Sequence, residues 1–162
     1  MENHFKFFTP VQVRFAETDA QGHVFFGQYF TYYDVALTEY LKAIGYSYQA
    51  MLADGVDFYY VEASCQYKDR AFFDEVLHVH ARIGKIGNTS FHFEFSVVEE
   101  NSGRLIATGR IVAVAVDHNS RKPIAVPQKL REAVEAFETG AASQAIEALA
   151  DQAALQVQSR QS

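Results

Sequence analysis

Residues 14–45 read RFAETDAQGHVFFGQYFTYYDVALTEYLKAIG, and this stretch decides the fold. A turn that carries a carboxylate, Asp19, leads directly into a long amphipathic helix. Apolar residues recur at helical spacing and predict one buried face, made of Tyr29, Tyr33, Leu37, Tyr40, Leu41 and Ile44. We expect the helix to begin near Gly27 or Gln28. Gly45 predicts its end, because glycine readily takes the left-handed conformation that terminates helices.

Composition indicates one globular domain. The chain has 162 residues, 49% of them hydrophobic, which is enough for a sizeable core. The formal net charge is -6 and there is no run of Lys or Arg, so we expect neither a nucleic-acid nor a membrane partner. Cys65 is the single cysteine, which excludes an intrachain disulfide and suits a reducing compartment. Residues 1–10 lack a signal peptide's apolar stretch, so we expect a cytoplasmic protein.

Strands are predicted on both sides of the long helix. A first strand over Phe5–Ala16 has Val11, Val13 and Phe15 on one side, and Pro10 places it at an edge or a strand start. Four further strands are predicted over Asp57–Lys68, Leu77–Ile83, Phe91–Val97 and Leu105–Val116. The middle two alternate apolar with polar residues, as half-buried antiparallel strands do. Leu105–Val116 is apolar on both faces and predicts a central strand covered on both sides.

The order of these elements indicates an α+β domain in which a long helix lies across an antiparallel sheet of about five strands. A doubly wound parallel sheet is disfavoured, because helices do not alternate with the strands. A short last helix is predicted over Gln128–Phe137, and the domain over residues 1–138. Residues 139–162 are rich in Ala, Gln and Ser, and predict a tail that is either helical or mobile.

Asp19 is the strongest candidate for chemistry. A carboxylate just ahead of a helix lies near the positive end of its dipole, and the unpaired N–H groups of the first turn can polarise a bound carbonyl oxygen. Gly22 allows the backbone to turn tightly and approach a ligand. An Asp-x-x-Gly turn also occurs as an ordinary solvated turn, and the turn alone leaves that alternative open.

The segment Thr18–Phe26, followed by Tyr29 and the aromatic-rich helix, resembles the signature of hotdog-fold acyl-CoA thioesterases of the 4-hydroxybenzoyl-CoA thioesterase family. Similar residues occur at Cys65–Tyr67, Phe73–Val76 and Gly87–Phe91, and the resemblance extends from Val11 to about Phe137. It implies a long helix wrapped by a curved antiparallel sheet. It also implies chains joined edge to edge, as a homodimer or a homotetramer built as a dimer of dimers, with active sites at the subunit boundary.

The resemblance also implies roles for individual residues. Asp19 matches the catalytic carboxylate, which attacks the thioester carbonyl or activates water, while the backbone N–H of Phe26 polarises that carbonyl. Three further residues would shape the site: Gly22, His23 and Tyr29. Asp34 matches an acidic helix position that in one branch reaches a ring hydroxyl of the acyl group; a solvated carboxylate is the alternative. The implied substrate is an acyl-CoA, and no cofactor is implied.

The sequence departs from the family where coenzyme A is held. Some members place basic residues at the turn before the strand that begins near Ser90, but here that turn reads Gly87-Asn88-Thr89 with only Lys85 nearby. Lys85 is therefore the candidate for binding the CoA phosphates. Four other cations are substitutes: Lys68, Arg70, Arg121 and Lys122. A thioester carried on an acyl-carrier protein is an alternative substrate.

Other functions remain as hypotheses. A hotdog hydratase or dehydratase typically needs an Asp-x-Asn-Pro-x-His arrangement or a His/Glu pair. Here Gly22 replaces the proline and His23 is one residue too close to Asp19, so the sequence disfavours this function. A non-catalytic acyl-binding protein could use the same cleft. His78 and His80 lie on one strand face, yet no third metal ligand is evident, so we expect no metal site.

Overall fold

The computed structural model describes residues 4–140 together with Gln152 and Gln156. Its strands are β1 Phe8–Gln12, β2 Val56–Tyr67, β3 Val76–Ile86, β4 Ser90–Glu99 and β5 Leu105–Asp117, and its helices are α1 Gln28–Ala43, α2 Tyr48–Ala53 and α3 Gln128–Glu138. No helix within this described part is long and apolar enough to cross a membrane. The predicted tail over 139–162 lies outside the described residues, apart from Thr139, Gly140 and the two glutamines.

The five strands form one antiparallel sheet in the order β1-β3-β4-β5-β2. This sheet with a helix against it confirms the predicted α+β class. β5 lies between β4 and β2, as its apolar sequence predicted. Its outward face is only partly covered within the described chain, because Thr108 is half-buried and Arg110 is exposed. The prediction of a strand covered on both faces was therefore too strong.

Helix α1 lies against the sheet through its predicted apolar face. Tyr33 is fully buried and stacks on Phe95 of β4, with ring centroids 4.4 Å apart. Gly109 of β5 faces the same tyrosine ring, because its missing side chain leaves room for it. Gly45 has φ +87° and ends the helix region as predicted. The buried face also includes Tyr32 and Ala36, which the predicted stripe omitted.

Two local features differ from what the sequence predicted. The first strand is shorter than predicted, because the chain turns into a 3-10 helix at Phe15–Glu17, which leaves the Phe15 side chain 77% exposed rather than facing the core. Helix α2 was not predicted. The sequence did hold a signal for it, since Ser47 caps this helix by accepting a hydrogen bond from the Ala50 N–H at 3.1 Å.

Candidate active site

Residues 17–25 form a small hairpin, called here the Glu17–Phe25 hairpin. At its base the Phe25 N–H donates to the Glu17 carbonyl at 2.9 Å, and at its tip the Gly22 N–H donates to the Asp19 carbonyl at the same distance. Gly22 has φ +81°, the conformation that glycine adopts most easily. Between base and tip, the Asp19 N–H donates to the His23 carbonyl at 3.0 Å. The backbone therefore places Asp19 and His23 opposite each other.

Asp19 is half-buried on this hairpin. One of its carboxylate oxygens, Oδ1, accepts a hydrogen bond from the Gln21 N–H at 2.8 Å. Among residues 4–140, the other oxygen accepts no hydrogen bond, and the carboxylate forms no ion pair. An anionic oxygen without a competing partner is what a nucleophile or a general base requires.

Phe26 follows the hairpin and leads into α1. Its carbonyl accepts a hydrogen bond from the Tyr67 hydroxyl at 2.7 Å, which fastens this residue to the end of β2. Its N–H finds no acceptor anywhere in the described part of the chain. No side chain caps the N-terminus of α1 at Gly27. The unpaired N–H and the positive end of the helix dipole together suit a developing oxyanion.

A pocket of about 260 Å³ opens between the N-terminus of α1 and the end of β2. It is lined by His23, Val24, Phe26, Tyr29, Tyr67, Lys68, Asp69 and Arg70. Burial, with smaller contributions from the neighbouring Cys65 and Tyr67, raises the pKa of Tyr29 to about 12, so this phenol stays neutral. Three of the predicted site residues therefore line one pocket: His23, Phe26 and Tyr29.

The rim of this pocket is positively charged. Asp69 is paired with the Arg104 guanidinium, whose Nε lies 3.0 Å from the carboxylate, and Arg104 also reaches Glu75 at 3.1 Å. Lys68 and Arg70 form no ion pair with any described residue. Two of the four substitute cations named from the sequence, Lys68 and Arg70, therefore have charge available in the pocket that Phe26 lines, whereas Arg121 and Lys122 do not line it.

Asp34 lies elsewhere, in a cleft between α1 and β2. Its Oδ1 accepts a hydrogen bond from the Tyr60 hydroxyl at 2.8 Å. Two adjoining cavities of about 380 and 410 Å³ share these two residues, and both are otherwise lined mainly by apolar side chains. Burial, and then the hydrogen bond to Asp34, raises the pKa of Tyr60. An apolar cleft with one central polar pair can hold an acyl group.

The remaining predicted residues do not line the 260 Å³ pocket. Asp19 and Gly22 lie on the hairpin whose residues His23 and Val24 line it, whereas Lys85 and His78 lie on β3. Lys85 is exposed on β3, where its backbone pairs with His92. His78 stacks on Phe8 at 4.2 Å and lies 3.2 Å from a Glu100 oxygen. Within the described residues, no group of three potential metal ligands comes together.

Sequence reasoning missed two residues at this site. Tyr67 was not singled out, because only tertiary contact shows that its hydroxyl reaches Phe26 across 41 positions. Glu17 was also overlooked, although its side chain is buried at the base of the hairpin. Its position three residues after Arg14, which matches the spacing of a capping box, was the available signal.

A helix laid on a five-stranded antiparallel sheet, preceded by a turn that carries a carboxylate, is the architecture of hotdog-fold thioesterases. The chain matches the thioesterase-like superfamily over residues 13–134 and belongs to that family. The resemblance seen in the sequence is thereby confirmed.

Individual relatives agree with this assignment. The chain is 32% identical to the acyl-CoA thioester hydrolase YbgC of Escherichia coli over 122 residues, which are 75% of this chain and 90% of that protein. It is similar to the structure of a 1,4-dihydroxy-2-naphthoyl-CoA thioesterase from Synechocystis, with a TM-score of 0.72, 25% identity and coverage of 79% and 94%. A DHNA-CoA thioesterase from Staphylococcus aureus gives a TM-score of 0.72 and 25% identity, with coverage of 90% and 93%.

Proposed function

We propose that this protein hydrolyses acyl-CoA thioesters and that Asp19 supplies the reacting carboxylate. The observation that carries the proposal is the presence of two unsatisfied groups in the segment that leads into α1. Within the described chain, Asp19 keeps one oxygen without a partner, and Phe26 has an N–H without an acceptor. Membership of the thioesterase-like superfamily supports the same chemistry.

Two routes are compatible with this arrangement. In the first, an Asp19 oxygen attacks the thioester carbon, the C–S bond breaks, and water later hydrolyses the acyl-aspartyl anhydride to free acid. In the second, Asp19 accepts a proton from a water molecule that attacks the same carbon, and the thiolate leaves. In both routes the Phe26 N–H donates to the oxyanion that forms.

The first experiment is thiol release from a panel of short, long and aromatic acyl-CoAs. Asp19→Asn should lower kcat by about 10²–10⁴-fold, because an amide is neither a base nor a competent nucleophile. Glu39→Gln is the control, since Glu39 pairs with Lys42 on the exposed side of α1 and should turn over normally. Unchanged turnover by Asp19→Asn would refute the assignment.

One further outcome of that assay and one additional experiment test the alternatives. Saturable acyl-CoA binding without any thiol release would support a non-catalytic binding protein instead. If the wild type does release thiol, a single turnover in ¹⁸O-labelled water separates the routes. Label entering the Asp19 carboxylate indicates an anhydride that water opens at the aspartyl carbon. Label entering only the product acid fits general-base catalysis or an anhydride opened at the acyl carbon, and trapping of the acyl-enzyme with hydroxylamine then separates these two.

We also propose that Lys68 and Arg70 hold the phosphates of coenzyme A, because both line the pocket beside Phe26. Lys85 remains the competing candidate. KM of the alanine variants at these three positions should be measured with two substrates. One is an acyl-CoA, and the other carries the same acyl group on N-acetylcysteamine, which lacks the phosphates. A residue that binds phosphate raises KM for the first substrate only. Equal effects on both substrates would contradict a phosphate role.

A homodimer is the final part of this proposal. Among the described residues β2 pairs only with β5, and the residues exposed along β2 include Tyr59, Tyr60 and Val61, the last by 62%. A long apolar edge strand that stays exposed promotes aggregation, because its free N–H and C=O groups can pair with other chains. We therefore propose that β2 pairs with the β2 of a second copy. Val61→Lys should shift the mass in solution toward the monomer. Val35→Lys, on the outer side of α1, is the control. A wild-type monomer with full activity would contradict the dimer.

A further inference from the structure

Two carboxylate side chains are buried in the described part of the chain. Glu17 is 6% exposed and Glu99 is 4% exposed. Glu99 has a local task, because it accepts hydrogen bonds from the Asn101 and Ser102 N–H groups and closes the turn between β4 and β5. Glu17 lies at the base of the Glu17–Phe25 hairpin, and its contacts extend beyond its own turn.

The Glu17 carboxylate joins three segments of chain. On one side Arg14 donates to it from its backbone N–H at 3.0 Å and from its guanidinium at 2.7 and 2.9 Å. On the other side the buried Tyr32 hydroxyl of α1 donates to it at 3.0 Å, and the Gln28 amide approaches at 3.4 Å. The Glu17 backbone meanwhile accepts the Phe25 N–H and closes the hairpin.

These donors keep the carboxylate charged. Burial by itself would raise the pKa of Glu17, but the hydrogen bonds from Arg14 and Tyr32 outweigh burial and hold that pKa below its usual value. An ionised group with several donors resists displacement, because moving it would leave a buried charge and a buried hydroxyl unpaired.

The geometry points to Glu17 as a positioning residue, which sets the carboxylate of Asp19 relative to the N-terminus of α1. Asp19 belongs to the hairpin and the Phe26 N–H belongs to the helix entrance, so their separation depends on how the hairpin is docked. Besides the backbone, two side chains of α1 link the hairpin base to the helix through Glu17: the Tyr32 hydroxyl at 3.0 Å and, more weakly, the Gln28 amide at 3.4 Å. This inference rests on the proposed function, because it presumes that those two groups act together.

The test compares Glu17→Gln with Glu99→Gln at equal concentrations of folded protein. Glu17→Gln should lower kcat by an amount on the order of 10²-fold with little change in KM, since a displacement of about 1 Å can have that effect while the pocket for CoA stays intact. Glu99→Gln should lose stability and keep its kcat. Equal kcat for the two variants would overturn the inference, because burial alone would then explain Glu17.

A milder variant covers the case in which Glu17→Gln does not fold. Tyr32→Phe removes only the hydroxyl, so it should lower kcat in the same direction by a smaller factor. If both variants fold, the effects of Glu17→Gln and Tyr32→Phe on kcat should be less than additive in the double variant, because both changes weaken the same cluster of hydrogen bonds around Glu17. Full additivity, or a Tyr32→Phe variant with wild-type kcat, would contradict the link.

Hydrogen–deuterium exchange of residues 18–26 provides a readout that does not need turnover. Exchange in this segment should rise in Glu17→Gln and Tyr32→Phe, and stay at the wild-type rate in Glu99→Gln. If the wild type hydrolyses no thioester, the proposed function fails, while the exchange data still decide whether Glu17 docks the hairpin. Unchanged exchange in both variants would overturn the docking role itself.

Discussion

Replacing Gly109 with alanine tests how closely α1 lies on the sheet. A Cβ atom at this position would lie 2.5 Å from Cζ and 2.6 Å from the hydroxyl oxygen of Tyr33. Carbon atoms in contact prefer about 3.5–4.0 Å, so the ring would have to move by roughly 1 Å. It has no room to do so, because it is fully buried, stacks on Phe95 and hydrogen-bonds Cys65 at 3.2 Å.

The expected cost follows from this lack of room. Overpacking of a dense core typically costs about 1–3 kcal/mol, so Gly109→Ala should lower Tm by roughly 2–12 °C for a domain of this size. Thermal unfolding followed by circular dichroism measures the change. Protein concentration must be matched, because association shifts the apparent Tm.

Gly84→Ala is the matched control. Its added Cβ would also come very close to another residue, 2.5 Å from Glu94 Oε1, but that atom ends a side chain that is 40% exposed and can swing away. We therefore expect a much smaller loss of Tm. Relief by Tyr33→Leu in the Gly109→Ala background would confirm the clash. If Gly109→Ala is no less stable than Gly84→Ala, the reasoning about the helix-to-sheet distance is wrong.

Two other perturbations have definite signs. Burial lowers the pKa of His80, so the folded state resists a protonation that the unfolded state accepts near pH 6.5. The free energy of unfolding should therefore fall as the pH drops below that value. Urea titrations at several pH values should show a smaller loss for His80→Asn than for the wild type. A variant with the wild-type slope would contradict this. The buried Tyr40 hydroxyl donates to Glu138 at 2.6 Å, so Tyr40→Phe should lower the free energy of unfolding, measured in urea titrations, by about 1 kcal/mol. An unchanged free energy of unfolding would contradict the role of this hydrogen bond.

Much of the fold was predictable because its signals are local. The stripe from Tyr29 to Leu41 repeats every three or four residues, and that spacing alone places those side chains on one helix face. Alternation did the same for β3 and β4, and Gly45 marked the end of α1. For the site, sequence reasoning identified the turn at Asp19 and its place before a helix, since both are features of consecutive residues.

Other features depend on contacts between distant residues. Nothing in the local pattern shows that β2 pairs with β5, because strand order is chosen by which apolar faces bury each other best. The same holds for Tyr67 reaching Phe26 and for Tyr60 reaching Asp34, each across more than 25 positions.

The sequence by itself determined the helix, the alternating strands and the carboxylate turn, since each follows from the spacing of neighbouring residues. Only the tertiary structure decided that Lys68 and Arg70, rather than Lys85, border the pocket beside Phe26. It also decided that Glu17 is buried against Tyr32 of α1. A side chain's burial and partners are set by what the rest of the chain packs around it, and residue spacing carries no record of that.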